Sequence, residues 1–159
     1  MADEEQSSYL DETVESLLEQ SQQNAQALIL ATIAVLDDLG ILPEAWAEGI
    51  GERFSEAWGD DSSWEPSEFL DAMITNYRSL GASVENVEFS EDVATADIYG
   101  FPDEELADSF GVSAESVTVF HRTGAEIARR RGLRWEWTAN DESTSIRVTR
   151  LDEGDGTES

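Results

Sequence analysis

The sequence predicts an α+β domain, and three observations predict it. Apolar residues recur at three- and four-residue steps as far as residue 80. The period then drops to two, around Val87 and Phe89 and again around Trp135 and Trp137. Between these stretches lie two helical runs punctuated by Gly111. The expected architecture is an N-terminal helical half of three helices, followed by a hairpin–helix–helix–hairpin unit that forms a four-stranded antiparallel sheet.

Each element has a local reason. Ser8 to Asp11 reads as a capping-box-like start, with Asp11 near the positive end of a helix. Leu10, Val14, Leu17, Leu18, Ala25, Leu28, Ile29, Leu36 and Leu39 then mark an amphipathic helix to about Leu39, stopped by Gly40. Its polar residues 21–24 are a point at which it can divide in two. Pro43 suits the first turn of a second helix, with Trp46, Ile50, Phe54 and Trp58 on one side. Pro66 opens a third, which turns Phe69, Leu70, Met73, Ile74, Tyr77 and Leu80 inward and ends at Gly81.

Val87 and Phe89 begin a first hairpin, which turns at residues 90–92 and returns over residues 93–101. Pro102 starts a short helix to about Phe110, and Ser113 caps a longer one that stops at Gly132. The last hairpin alternates Leu133, Trp135 and Trp137 with Arg134 and Glu136, and turns near Asn140 and Asp141 into Ile146 and Val148. Two registers keep its apolar face intact. One sets Trp135 opposite Ile146; a two-residue slip sets Glu136 opposite Arg147. Residues 1–7 are expected to be a flexible acidic lead, residues 8–152 a single domain and residues 153–159 a flexible tail.

Charge bounds the setting more than the function. Thirty-six Asp and Glu oppose nine basic residues, all Arg, for a net charge of −27 over 159 residues. Self-repulsion at this density opposes compaction in dilute salt, and a Debye length of roughly 3 Å at 1 M removes most of it. With 40% apolar residues and five Trp, the chain is globular in composition. It resembles a halophilic archaeal protein of a salt-loaded cytoplasm. Its melting temperature is therefore expected to climb steeply from about 0.1 M towards molar KCl. A flat profile over that range would contradict the salt-adapted reading.

The chain has no Cys and a single His, His121, so thiolate chemistry and a multi-histidine metal site are excluded. The acidic N-terminus does not read as a signal peptide, and the longest apolar stretch, residues 27–36, is short of the roughly 20 residues of a membrane span. The chain is expected to be cytoplasmic and away from membranes. No catalytic group, metal site or cofactor is predicted, and the function expected is non-enzymatic.

Two constellations compete for that function. His121 on the edge of an apolar stripe, Gly124 in mid-helix, and Trp135 and Trp137 on one strand face outline a pocket for a small-molecule ligand. Each also has a structural reading: a core-edge histidine, a close-packing glycine, and core-filling aromatics. The run around Ala107, Gly111 and Val117 resembles a helix-turn-helix over residues 103–122, which implies a DNA-binding transcription regulator. Ser113, Ser116, Arg122, Arg129, Arg130, Arg131 and Arg134 would meet the nucleic acid. Glu115 in the first turn of the reading helix and the net charge oppose that. Arginines at a helix C-terminus also have a structural role with the dipole and with carboxylates. A third class is an assembly protein acting through its first helices, which would show an apolar patch there. A homodimer is compatible with all three.

A longer likeness covers the C-terminal half: residues 96–102, Phe110, Gly111 and Val112, Phe120 and His121, residues 132–135, and Ile146 to Val148. This arrangement resembles small domains of the aminothiazoline-carboxylate-hydrolase-like and vinyl-reductase types. The resemblance implies a strand, two helices and a final hairpin beside a small-molecule pocket. The cysteines common in those families are missing here, so only the fold and a pocket carry over.

Overall fold

The structure is a computed structural model and describes residues 13–59 and 63–152. The expected cap at Ser8, the acidic lead and the tail lie outside the described residues. Helix α1 spans Val14–Asp38, α2 Pro43–Ala57 and α3 Pro66–Ser79. Strands β1 (Ser83–Phe89) and β2 (Val93–Tyr99) follow, then α4 (Glu104–Phe110) and α5 (Ala114–Val119). A 3₁₀ turn at Phe120–Arg122 leads into α6 (Thr123–Arg129), and β3 (Leu133–Ala139) and β4 (Ser143–Arg150) close the fold. The class is α+β, with one four-stranded antiparallel sheet in the order β1-β2-β4-β3. The two hairpins thus meet through their second strands.

Helix α1 is continuous through its polar residues 21–24. Gln26 explains why a polar residue belongs there. It is buried, its Nε2 donates to the carbonyls of Leu80 (2.7 Å) and Gly100 (3.1 Å), and its Oε1 accepts from the Asp103 amide (3.0 Å). One side chain thereby fastens α1 to the ends of α3 and β2 and to the start of α4. Pro102, expected to open that last helix, precedes it; the N-cap is Asp103, whose carboxylate accepts from the Leu106 amide.

In α2 the buried face is Ala47, Gly51 and Ser55 together with Trp46, while Phe54 is exposed. Ile50 and Trp58 pack at the edges of the two core clusters, and the small residues, four apart, permit the closest approach. A Cβ on Gly51 would lie 2.8 Å from the Thr123 carbonyl. The helix expected to run from Ser113 to Gly132 is divided by the 3₁₀ turn, with Gly124 buried in its last segment.

The last hairpin adopts the slipped register: Trp135 faces Val148, Glu136 faces Arg147 and Trp137 faces Ile146. The Asn140 amide donates to the Ser143 carbonyl (2.8 Å), so Asp141 and Glu142 form the two-residue turn. Moving the turn by one residue moves the pairing by two and leaves every side chain on its face.

One face of the sheet is closed. Ala94, Ala96, Ile98, Leu133, Trp135, Ile146 and Val148 pack against Phe69, Leu70, Met73, Ile74 and Tyr77 of α3 and against Ile127 and Ala128 of α6. A second cluster, Leu30, Ile33, Trp46, Ala47, Ala107, Val112 and Val117, joins α1 and α2 to the α4–α5 pair.

Candidate functional site

Three of the four residues expected to bind a ligand do come together. His121 is buried and shares a 2.7 Å hydrogen bond with the Tyr77 hydroxyl through Nδ1. The Trp135 indole N–H donates to the His121 carbonyl at 2.8 Å. A Cβ built on Gly124 would lie 2.7 Å from Cε2 of that indole, so the helix rests on the ring with no room for a methyl group. Trp137 is half-buried on the same sheet face. The constellation is a packed joint between α6 and β3.

Burial lowers the His121 pKa to about 4 and raises that of Tyr77 above its ordinary range, because both charged forms are desolvated. Unfolded histidine titrates near 6.5, so between pH 6.5 and about 4 the unfolded chain binds the extra proton. This contribution to stability is complete above pH 6.5 and is lost as the pH falls through 4. Between pH 7 and 4.5, in molar KCl, the intact protein is expected to lose about 2 kcal/mol more than His121→Gln. Denaturant titrations at the two pH values check this; equal losses would contradict it.

The helix-turn-helix residues are dispersed. Ala107 and Val117 are buried and Gly111 takes a left-handed conformation (φ 70°) between α4 and α5. Ser113 caps α5 by accepting from the Ser116 amide. Ser116 is buried, and its hydroxyl donates to the Asp37 carboxylate (2.9 and 3.0 Å), so a carboxylate of α1 stands where a phosphate or base edge would be met. Arg129 is exposed and pairs with Glu126 at 3.0 Å. The hydrogen bond it donates to Glu126 is the main cause of its raised pKa. Arg122 is exposed and Arg130 half-buried. Arg134 lies on the open side of the sheet, opposite Thr149.

Arg131 is the furthest from expectation. It is only 1% exposed, with Nη1 donating to Ser55 Oγ (3.2 Å) and the Ile127 carbonyl (2.9 Å). Its guanidinium carbon lies 5.5 and 5.7 Å from the ring centroids of Trp58 and Trp64. The five expected arginines therefore form no single patch.

The open face of the sheet carries a different arrangement. Side chains alternate across a strand, so those between the buried residues point away from α3. Two rungs cross all four strands. One is Glu88, Thr95, Arg147 and Glu136; the other is Glu85, Asp97, Ser145 and Thr138, with Asn86 beside Glu85 at the irregular stretch of β1. All of these but Glu85 line a concave groove of about 790 Å³. Trp135, Trp137, Ala96 and Ile146 also border it, but alternation directs their side chains into the core, so they contribute backbone there.

Asp97 is fixed at the centre of this groove. Ser145 Oγ donates to its Oδ1 (2.8 Å) and Asn86 Nδ2 to its Oδ2 (2.9 Å), while Asn140 Nδ2 holds Ser145 from behind (2.9 Å). Asn86 sits at an irregularity in the β1–β2 pairing with φ 51°, the one non-glycine residue at positive φ among the described residues. Asn tolerates that conformation better than most residues, and bulges of this kind re-aim side chains. Arg147, one rung away, makes no hydrogen bond or ion pair with the described residues.

The sequence marks none of the polar groove residues as ligand-binding, although Trp135 and Trp137, which border the groove, are among those it does mark. Among 36 carboxylates no spacing marks Asp97, and the groove exists only once β2 and β4 are neighbours. The available signal was the run of polar residues alternating with apolar ones in both hairpins. Among the described residues no group of three or more His, Asp or Glu is placed to hold a metal ion, and no helix is long and apolar enough to cross a membrane. The chain matches no protein family and no curated protein.

Proposed function

We propose that this chain is a non-enzymatic small-molecule-binding module whose ligand lies on the open face of the sheet. The observation that carries the reading is the placing of Asp97, held by two donors, diagonal to Arg147, which stands opposite Glu136 but makes no ion pair with a described carboxylate. Each Asp97 oxygen keeps a lone pair for a further donor, and a guanidinium presents a fork to a carboxylate. Diagonal neighbours on paired strands stand roughly 7–8 Å apart at their Cα atoms, within reach of both ends of a small molecule. The ligand class that fits is a small zwitterion, its ammonium on Asp97 and its carboxylate on Arg147. The packing of Gly124 on Trp135 gives less support to a pocket at the His121 joint.

Thermal unfolding in molar KCl against a panel of free amino acids and related amine carboxylates tests this. A ligand at 100 times its Kd is expected to stabilise the fold by about 2.7 kcal/mol. Asp97→Asn and Arg147→Gln should each abolish the gain. A panel without effect, or a gain that survives both substitutions, would contradict the assignment.

Duplex binding has weaker support. The α4–α5 pair has the expected turn, but the Ser116 hydroxyl is engaged by Asp37.

A further inference from the structure

Helix α1 has a second apolar face. Gln26, Leu30 and Ile33 are buried against the body, yet Val14, Leu17, Leu18, Leu28, Val35 and Leu39 are each more than half exposed. Most of them fall on one seam. Residues 14, 18, 21, 25, 28, 32, 35 and 39 are spaced alternately by four and three, the spacing that keeps a strip of helix facing a partner helix. Residues 20–36 carry no charged side chain, although the chain as a whole is −27. The middle of α1 is thus a stretch without carboxylates in a strongly acidic chain.

The seam is complementary to itself when one copy is reversed. An antiparallel pair with a two-fold axis between residues 26 and 27 sets Val14 against Leu39, Leu18 against Val35, Ser21 against Thr32 and Ala25 against Leu28. Large apolar residues meet apolar residues, the two hydroxyls meet, and the small Ala faces the large Leu. The Thr32 hydroxyl already donates to the Leu28 carbonyl at 2.7 Å, so burying it strands no donor. A parallel pair would instead put Ala25 on Ala25 and Leu28 on Leu28, leaving layers of unequal volume. Reversal also opposes the helix dipoles and offsets the two acidic bodies along the axis. Its cost is Glu15 near Asp38 at each exposed end, a repulsion that molar salt screens.

We propose that α1 pairs two copies of this chain into an antiparallel, two-fold dimer through this seam. At roughly 100 Å² apiece, the five exposed Leu and Val side chains on the seam cover about 1,000 Å² in two copies. Ser21, Ala25 and Thr32 bring the total to about 1,200 Å², the lower edge of stable specific interfaces. The inference is independent of the ligand site.

Sedimentation equilibrium of the full chain in molar KCl reads the outcome. The intact protein and Gln23→Glu, which adds the same charge outside the seam, should run at twice 17.6 kDa, and Leu28→Glu at 17.6 kDa with an unchanged circular dichroism spectrum. The chain has no cysteine, so orientation is read by oxidation. Ser21→Cys mixed with Thr32→Cys should form a cross-linked dimer, and Ser21→Cys alone should not. A monomeric intact protein at 100-micromolar order, or a dimer that persists in folded Leu28→Glu, would overturn the proposal. Cross-linking by Ser21→Cys alone would overturn the antiparallel arrangement.

Discussion

Phe69→Ala is expected to remove about 3–5 kcal/mol of stability, the range for deleting a buried aromatic ring. Phe69 is fully buried at the point where α3 meets the sheet. Its ring stands edge-on to Trp135 at 5.8 Å and lies 5.9 and 6.4 Å from Trp58 and Trp64. Truncation therefore removes one partner from three aromatic contacts and leaves a cavity among rigid rings that cannot collapse into it. Set against a total of about 5–15 kcal/mol for a domain, the loss is a large fraction of the stability. Denaturant unfolding in molar KCl measures it. A loss below about 1 kcal/mol would mean that the aromatic cluster is not the centre of the fold.

Arg131→Ala is expected to cost about 3 kcal/mol or more. The guanidinium holds the Ser55 side chain and main chain and the Ile127 carbonyl, at the C-terminal turns of α2 and α6, where helix dipoles favour a cation. Removing it leaves buried acceptors unmet, at about 1–3 kcal/mol each, and forfeits desolvated contacts with two indole faces worth up to about 2 kcal/mol. Arg131→Lys should recover little, since an ammonium neither forks nor stacks. Arg130→Ala, its half-buried neighbour, should stay within about 0.5 kcal/mol, as surface substitutions do. Equal effects at the two positions would show that the cluster acts as surface charge.

These two residues also mark where the sequence stops being legible. Phe69 was readable because it belongs to a run of apolar residues at helical spacing, a signal contained within α3. The strands and Gly111 are readable for the same reason, being set by period and turn chemistry over a few residues. The period leaves the hairpin register open between two pairings, and the turn falls one residue beyond Asn140 and Asp141. Arg131 was not. It sits beside two other arginines at a helix end, and its burial depends on Trp58 and Trp64, which lie far from it in sequence. Ser116 reads as a candidate DNA contact under the alternative function because its partner Asp37, 79 residues away, is not visible in the local sequence. The small-residue contact of α2 is not legible because size, not hydrophobicity, selects the point of closest approach. The groove failed to appear for a further reason: its polar residues have low individual information in so acidic a chain, and their juxtaposition is created by the β2–β4 pairing.

Amide chemical-shift mapping reads whether a ligand seats on that juxtaposition. A uniformly labelled sample in molar KCl is titrated with the amine carboxylate that gives the largest thermal stabilisation. Perturbations are expected to concentrate at Asn86, Thr95, Asp97, Ser145 and Arg147, and to vanish in Asp97→Asn. Perturbations centred instead on His121, Gly124 and Trp135, with the open sheet face silent, would contradict the account.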